Sequence, residues 1–280
     1  MTTASTTTAE KAFTEELNAP FTITPEMVDF FSEYGYIKIK NVLSSPLLKF
    51  YGNVITSEVK RLNTLEKPME ERTTYEKAFL QIMNIWREND TVKDFVFSKR
   101  LAKIAADLMQ VNGVRLYHDQ ALYKEPSGGI TPWHADQFYW PLDTPKTITA
   151  WIPFQDTPME MGPLAFAEKS QSVEIGRDIE ISDESENILQ EELRKRNFNM
   201  NDTPFELGEL SYHAGWLFHR AGPNKSTKPR EVMTMIYMDK DIRIKKPSNS
   251  YQVNDWNSWC SGYPIGGVPE GPLNPVLYER

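Results

Sequence analysis

Apolar residues recur at two different spacings along the chain, and the change from one to the other falls near residue 113. Before it the spacing is helical. Thr24-Pro25-Glu26 joins an N-cap threonine to a proline at the first helical position, and Met27, Phe30 and Phe31 continue a helix that Gly35 ends. Tyr36 to Lys40 reads as a strand. Ser44 to about Leu62 reads as a second helix carrying Leu47, Phe50, Tyr51, Val54 and Val59, and Asn63 to Lys77 as a charged connection. Phe79 to Trp86 alternates weakly, and Gln81 faces either a pocket or solvent, with solvent or structural use favoured. Thr91 to Gln110 reads as one helix with Val92, Phe95, Val96, Leu101, Ile104, Ala105 and Leu108 in register, ended by Asn112-Gly113.

After Gly113 the period becomes two. Val114 to His118 and Ala121 to Lys124 are β-like, and Pro126-Ser127-Gly128-Gly129 is a turn. Thr147 to Phe154 alternates clearly: Thr147, Thr149 and Trp151 share one face, and Ile148, Ala150, Ile152 and Phe154 the other. A polar inner face suits a barrel with a wet interior. Further strands are expected from Met161 to Phe166, Gly208 to His213, Trp216 to His219 and Glu231 to Asp239. Between them, a charged insertion at about 170–205 carries an amphipathic helix from Ser182 to Arg196, which serves either as a surface excursion or as a lid over a pocket. The last forty residues, rich in Pro, Asn, Ser and Gly, read as an extended tail wrapping the core. A helical third followed by many short strands predicts a mainly β fold with flanking helices. The expected core is a double-stranded β-helix (jelly roll, cupin-like) buttressed by N-terminal α-helices, forming a single domain over 21–280.

Composition narrows the function. With 280 residues and 40% hydrophobic content the chain can bury a sizeable core. The first twenty residues are polar and lack an apolar run, so they are expected to be a flexible tail and not a secretory signal or a membrane span. The net charge of −8, without a basic cluster interleaved with aromatics, sets nucleic acid aside as a partner. The single cysteine, Cys260, forms no internal disulfide and suits a reducing compartment, so a soluble, cytoplasmic protein acting on a small molecule is expected.

The candidate chemistry lies in Thr131-Pro132-Trp133-His134-Ala135-Asp136. A His and an Asp two apart on an extended segment project to the same side and can converge on one metal ion. Two imidazoles and one carboxylate on one face of an octahedral ferrous ion leave three positions open for cosubstrate and oxygen, so a distant third ligand is expected. The chain has four histidines. His118 reads as structural, which leaves His213 and His219. Along one regular strand these two would lie roughly 20 Å apart, so at most one could share the metal. The aromatic run Phe138, Tyr139 and Trp140 beside the motif is a candidate wall for a substrate cavity.

An isolated H-x-D recurs often by chance; the ordered combination of segments is far more specific. Gln120-Ala121-Leu122-Tyr123-Lys124-Glu125-Pro126 leads to Trp133-His134-Ala135-Asp136. Thr149-Ala150-Trp151-Ile152-Pro153-Phe154 is followed by Met161-Gly162-Pro163-Leu164, and His219-Arg220-Ala221-Gly222-Pro223-Asn224 by Arg230. In this the chain resembles the phytanoyl-CoA dioxygenase (PhyH-like) family of Fe(II)/2-oxoglutarate-dependent oxygenases. The resemblance implies iron binding by His134, Asp136 and His219, and capture of the far carboxylate of 2-oxoglutarate by Arg230. It further implies cosubstrate contacts from Gln120, Trp151, Thr149 and Ser226. Fe(II), 2-oxoglutarate and O2 would serve hydroxylation, or another oxidation, of an unactivated C–H bond, with release of succinate and CO2. Where members often carry a Pro-Gly-Ser-His turn, this chain reads Ala167-Glu168-Lys169-Ser170-Gln171. Asp136 argues against halogenation, which needs a small residue there. The competing readings are a cupin-type metalloenzyme without 2-oxoglutarate, which would need no Arg230, and a catalytically silent ligand-binding barrel, whose signature would be a lost ligand; none is lost here.

Overall fold

The computed structural model describes residues 8–260 and 262–280. Local capping chemistry fixes the helices of the first third. These begin with α1 (Thr8–Asn18) and α2 (Pro25–Tyr34); the Thr24 side chain accepts the Met27 N–H, and Gly35, at φ 79°, closes α2 by donating its N–H to the Phe31 carbonyl. A side chain at Gly35 would collide with Gln171 and Leu217, so the left-handed turn and the close approach both require glycine. After β1 (Tyr36–Lys40), α3 (Ser45–Leu62) is capped by Ser44 and buries Leu47, Leu48, Tyr51, Ile55 and Val59. A Thr73/Glu76 capping box starts α4 (Thr74–Ala78), which leads into β2 (Leu80–Met83), α5 (Asp90–Val96) and α6 (Lys99–Met109).

Three sequence expectations fail in this third. Residues 8–18 of the expected tail form α1, because Phe13 and Leu17, four apart on a polar segment, find an apolar partner only in the folded molecule. Leu17 is fully buried, the Phe13 ring lies 5.3 Å from that of Phe50, and the Glu16 carboxylate accepts the Ser44 N–H and hydroxyl. The remainder of the expected tail, residues 1–7, lies outside the described residues. The helix expected over 91–110 is two helices, because Ser98 leaves helical geometry, caps α6 through the Leu101 N–H and donates its hydroxyl to the Leu17 carbonyl. Gln110, in the left-handed region, ends α6 ahead of Asn112-Gly113.

The β-rich part runs β3 (Gly113–Lys124), β4 (Thr131–His134), β5 (Thr147–Pro153), β6 (Leu164–Ala167), α7 (Asp183–Lys195), β7 (Met200–Asn201), β8 (Glu209–Ala214), β9 (His219–Ala221), β10 (Arg230–Asp239), α8 (Ser250–Trp259) and β11 (Val276–Glu279). The major sheet has the order β1-β8-β5-β10-β3-β11, with β2 also paired to β3; the minor sheet is β4-β9-β6-β7. Every strand pair is antiparallel. Together they make the jelly-roll core that the strand pattern predicted. The alternation in β5 also holds: Ile148, Ala150 and Ile152 join Leu47, Ile55, Phe95 and Leu101 of the helices in the main core, while Thr149 and Trp151 face the cavity between the sheets.

Other differences have local causes. The two strands expected from Val114 to Lys124 are one, continuous through Asp119, whose buried carboxylate accepts the Ile85 and Trp86 N–H groups. Trp216 to Phe218 is not strand, because the Leu217 N–H bonds back to the Ala214 carbonyl and turns the chain. The expected wrapping tail contains α8 and β11: Asn249 caps α8 at Gln252, and the Gln252 amide donates to the Phe138 carbonyl, seating the helix beside the motif. The charged insertion is tied down as well. Leu189 and Leu193 of α7 pack with Trp133 and Phe218, and Glu186 accepts the Trp133 N–H while pairing with Arg220.

Docking of α1 gives the first expected outcome. Leu17→Ala lowers the free energy of unfolding by about 2–4 kcal/mol, the range for a fully buried leucine, in urea titration; an unchanged midpoint would mean that the segment is free.

Candidate active site

The cavity between the sheets has a volume of about 440 Å³. Its floor is built from both sheets. His134 ends β4, and the extended backbone of Ala135 (φ −125°, ψ 127°) carries the chain to Asp136, the first residue of a short 3-10 helix. His219 begins β9 directly opposite, since His134 and His219 are register partners. One donor atom from each of His134, Asp136 and His219 lies within 4.8 Å of the others. The Nε2 atoms of both histidines are 3.6 Å from Asp136 Oδ1.

The surroundings aim these donors. His134 Nδ1 is 2.7 Å from the Pro132 carbonyl and His219 Nδ1 is 3.0 Å from the Leu217 carbonyl. Each ring therefore donates from Nδ1 and presents an unprotonated Nε2, the form that ligates a metal. Burial, and then the neighbouring imidazole, lowers His134 and His219 to about 4, so both are neutral in ordinary buffers. Burial opposes ionisation of Asp136, but His219, His213 and His134 together outweigh it and hold the carboxyl far below its usual range. Its side chain is 19% exposed, toward the cavity. Two neutral imidazoles and one carboxylate, oriented from behind and open in front, fit a ferrous ion.

His213, left open by the sequence, lies beside the three donors and outside their set, and the expected 20 Å separation from His219 is wrong. That figure assumes one continuous strand, whereas the chain turns between Ala214 and Phe218 and sends the two histidines to different sheets. Their ring centroids are 4.4 Å apart. His213 Nε2 lies 3.3 Å from Asp136 Oδ2, and the Thr149 hydroxyl donates to the same oxygen at 2.9 Å, leaving Oδ1 to face the other two imidazoles.

Arg230, the first residue of β10, lines the same cavity and is 2% exposed. Its guanidinium donates to the Gly162 carbonyl and lies 5.4 Å from the centre of the Trp151 ring, and no carboxylate among the described residues pairs with it. Burial weakens its charged form, lowering the group to about 9. A buried cation in this condition calls for an anion from outside the chain. Gln120 lines the cavity and accepts from the Gln81 amide, so Gln81 faces inward and not toward solvent. Ser226 is not brought to the cavity: its hydroxyl donates to Asn224 Oδ1 at 2.7 Å and lies 3.0 Å from the Lys228 carbonyl, shaping the loop before β10. His118 borders the cavity without joining the donor cluster. Of the aromatic run, Tyr139 and Trp140 line the cavity, and Phe138 packs behind them.

Residues that the sequence reading missed come from two helices. Tyr251, Asp255 and Trp259 of α8, spaced four apart, form one wall, and Tyr75 of α4 forms another. The four-residue spacing was the available signal, masked by the turn-rich composition around it.

A jelly roll with this donor set and an unpaired guanidinium in one cavity defines an oxygenase of the iron and 2-oxoglutarate type. A family model for Phytanoyl-CoA dioxygenase (PhyH) matches residues 31–232, a span that includes all three donors and Arg230. The chain belongs to the phytanoyl-CoA dioxygenase (PhyH) family, whose cofactors are iron and 2-oxoglutarate. Solved structures share the fold. The non-heme alpha ketoglutarate dependent carbocyclase SnoK from nogalamycin biosynthesis superposes with a TM-score of 0.75 at 22% identity, over 93% of this chain and 100% of that one. The epimerase SnoN in complex with Fe3+, alpha ketoglutarate and nogalamycin RO gives 0.72 at 20% identity, over 90% and 98%. EctD from S. alaskensis with 2-oxoglutarate and 5-hydroxyectoine gives 0.65 at 17% identity, over 82% and 83%. Among the described residues, no helix is long and apolar enough to cross a membrane.

The buried imidazole of His118 gives a pH prediction. Burial lowers it from 6.5 to about 4. Neutral in the fold but protonated in the unfolded chain, it contributes stability that is complete above about 6.5 and is lost as pH falls toward 4. The stability difference between the wild type and His118→Gln should therefore shrink on acidification from pH 7 to 5, by at most about 1.4 kcal/mol per pH unit. Urea titrations at the two pH values measure it.

Proposed function

We propose that this chain is an Fe(II)- and 2-oxoglutarate-dependent dioxygenase that oxidises an unactivated C–H bond of a small-molecule metabolite. In this reading His134, Asp136 and His219 hold the iron, and Arg230 grips the far carboxylate of 2-oxoglutarate. One observation carries it: a buried guanidinium without a carboxylate partner opens into the same cavity as the three converging donors. A planar fork of N–H donors suits a carboxylate. The solved structures lend support, since SnoN is described with Fe3+ and alpha ketoglutarate and EctD with 2-oxoglutarate.

Bound in this cavity, ferrous iron would activate O2, the oxidant; 2-oxoglutarate would give up two of the four electrons that O2 takes, leaving as succinate and CO2, and the substrate's C–H bond the other two. The protein's share is placement. Trp151 supports the guanidinium through its ring face, and Gln120, held by Gln81, presents its amide to the cosubstrate region. Thr149 acts here on Asp136, fixing which carboxylate oxygen faces the metal, a role that differs from the direct cosubstrate contact expected from the family. Tyr139, Trp140 and the helical walls exclude water and hold the substrate's C–H bond near the metal. The 170–205 insertion reaches the cavity through Ile181, whose N–H donates to the Tyr139 hydroxyl, and this supports its reading as a lid.

Anaerobic titration of the purified protein with Fe(II) and 2-oxoglutarate should develop the weak visible charge-transfer band of the chelate. Arg230→Ala should raise the 2-oxoglutarate concentration for half-formation by about a hundredfold, because it removes one partner of a buried charge pair. An unchanged half-saturation, or no band in the wild type, would overturn the assignment. Thr149→Val should weaken iron binding by about tenfold, as removal of a hydrogen bond behind a metal ligand does; competition with a chelator reads it.

A further inference from the structure

The half of the cavity remote from Arg230 has its own chemistry. Asp255 of α8 faces it, with the Tyr117 hydroxyl donating to Oδ2 at 3.0 Å and the Trp259 side chain giving a second hydrogen bond. A carboxylate has about four acceptor sites, so two remain. No cation among the described residues pairs with it, and the only Lys or Arg lining the cavity is Arg230. Burial pushes the Asp255 carboxyl up to about 7, against the pull of those two hydrogen bonds. An amide or hydroxyl would hold Tyr117 equally well without the cost of burying a charge.

Aromatic residues flank this carboxylate. Tyr251 and Trp259 lie one helical turn to either side of Asp255, and the Tyr139 ring meets Tyr251 edge-on with centroids 5.4 Å apart. The rim is acidic. The Tyr251 hydroxyl is hydrogen bonded to exposed Glu180, and the carboxylate of Asp183 accepts from Thr74 across the same edge. A half-buried acid flanked by aromatic residues, reached past acidic groups, is the environment that recognises an organic cation.

Resting on the oxygenase reading above, we propose that the substrate is a protonated amine, its ammonium group held by Asp255 among Tyr251, Tyr139 and Trp259. The ammonium end is then anchored on α8, and the carbon to be oxidised is one further along the substrate, toward His134 and His219. A neutral alcohol of the same shape satisfies the hydrogen bonds but not the charge.

Isothermal titration of the full chain tests this with phenethylamine and tryptamine against their neutral counterparts 2-phenylethanol and tryptophol. The amines should bind at least about tenfold more tightly, as a charge-assisted hydrogen bond with aromatic contacts provides. Asp255→Asn keeps an acceptor for Tyr117 and should abolish the preference. Tyr251→Leu, at a position 41% exposed and safe for the fold, should weaken the amines more than the alcohols. Equal binding of amine and alcohol, no binding of either amine, or a preference that survives Asp255→Asn would each overturn the inference. The same titrations on metal-free protein separate the two readings: an amine preference in protein that forms no iron chelate band keeps this site and removes the oxygenase assignment, and a band without the preference does the reverse.

Discussion

The carboxylate of Asp136 is the junction on which the two sheets depend. One oxygen faces His134 and His219 of the minor sheet, and the other accepts from His213 and Thr149 of the major sheet. A desolvated negative charge is costly by itself, and here the Thr149 hydroxyl and the His213 imidazole, from two strands of the major sheet, compensate it. The arrangement is shared by stability and chemistry. His213 and Thr149 make the carboxylate tolerable, and the oxygen they hold leaves its partner to face the unprotonated nitrogens of His134 and His219.

The same logic of buried charge applies to the groups in and behind the cavity wall. Lys124 is fully buried, its ammonium donating to the Gly129 carbonyl and the Thr131 hydroxyl, and burial, followed by Arg230 and Arg220, lowers it to about 6. Near neutrality it can therefore serve as an uncharged bridge between β3 and the turn before β4. Arg230 cannot shed its proton in this way and has no carboxylate partner, so it is the group whose charge is left for a ligand. Asp255 is the corresponding unpaired acid on the other side. The cavity thus has a cationic end, a floor of three converging donors and an acidic, aromatic end, each supplied by a different part of the fold.

The walls at the mouth come from segments with few apolar residues of their own. The insertion at 170–205 holds its place through Leu189, Leu193 and the Glu186 contacts to Trp133 and Arg220, and α8 through Gln252 and the Trp256 to Tyr263 hydrogen bond. Both lie against the segment that carries His134 to Trp140. Both walls are thus fastened to the segment that carries His134 and the residues after it.

Local chemistry written in the sequence determined a good deal. The caps at Thr24 and Ser44, the glycine stop at Gly35, the two-residue alternation of Thr147 to Phe154 and the H-x-D spacing all act over a few residues, and each is found where the chain places it. The ordered motifs around His134, Asp136, His219 and Arg230 were legible for the same reason, because each is a short run of fixed spacing. Tertiary structure decided whatever depends on a distant partner. Leu17 turns a polar tail into a docked helix only when Ser98 and the helices are there to receive it, and the turn after Ala214 brings His213 beside His219 against any strand-based estimate. Tyr251, Asp255 and Trp259 become a cavity wall only because Gln252 reaches Phe138 across 114 positions of chain. Periodicity reports which side of an element is apolar; it carries no information about which other element will cover that side, and the cavity is made at those meetings.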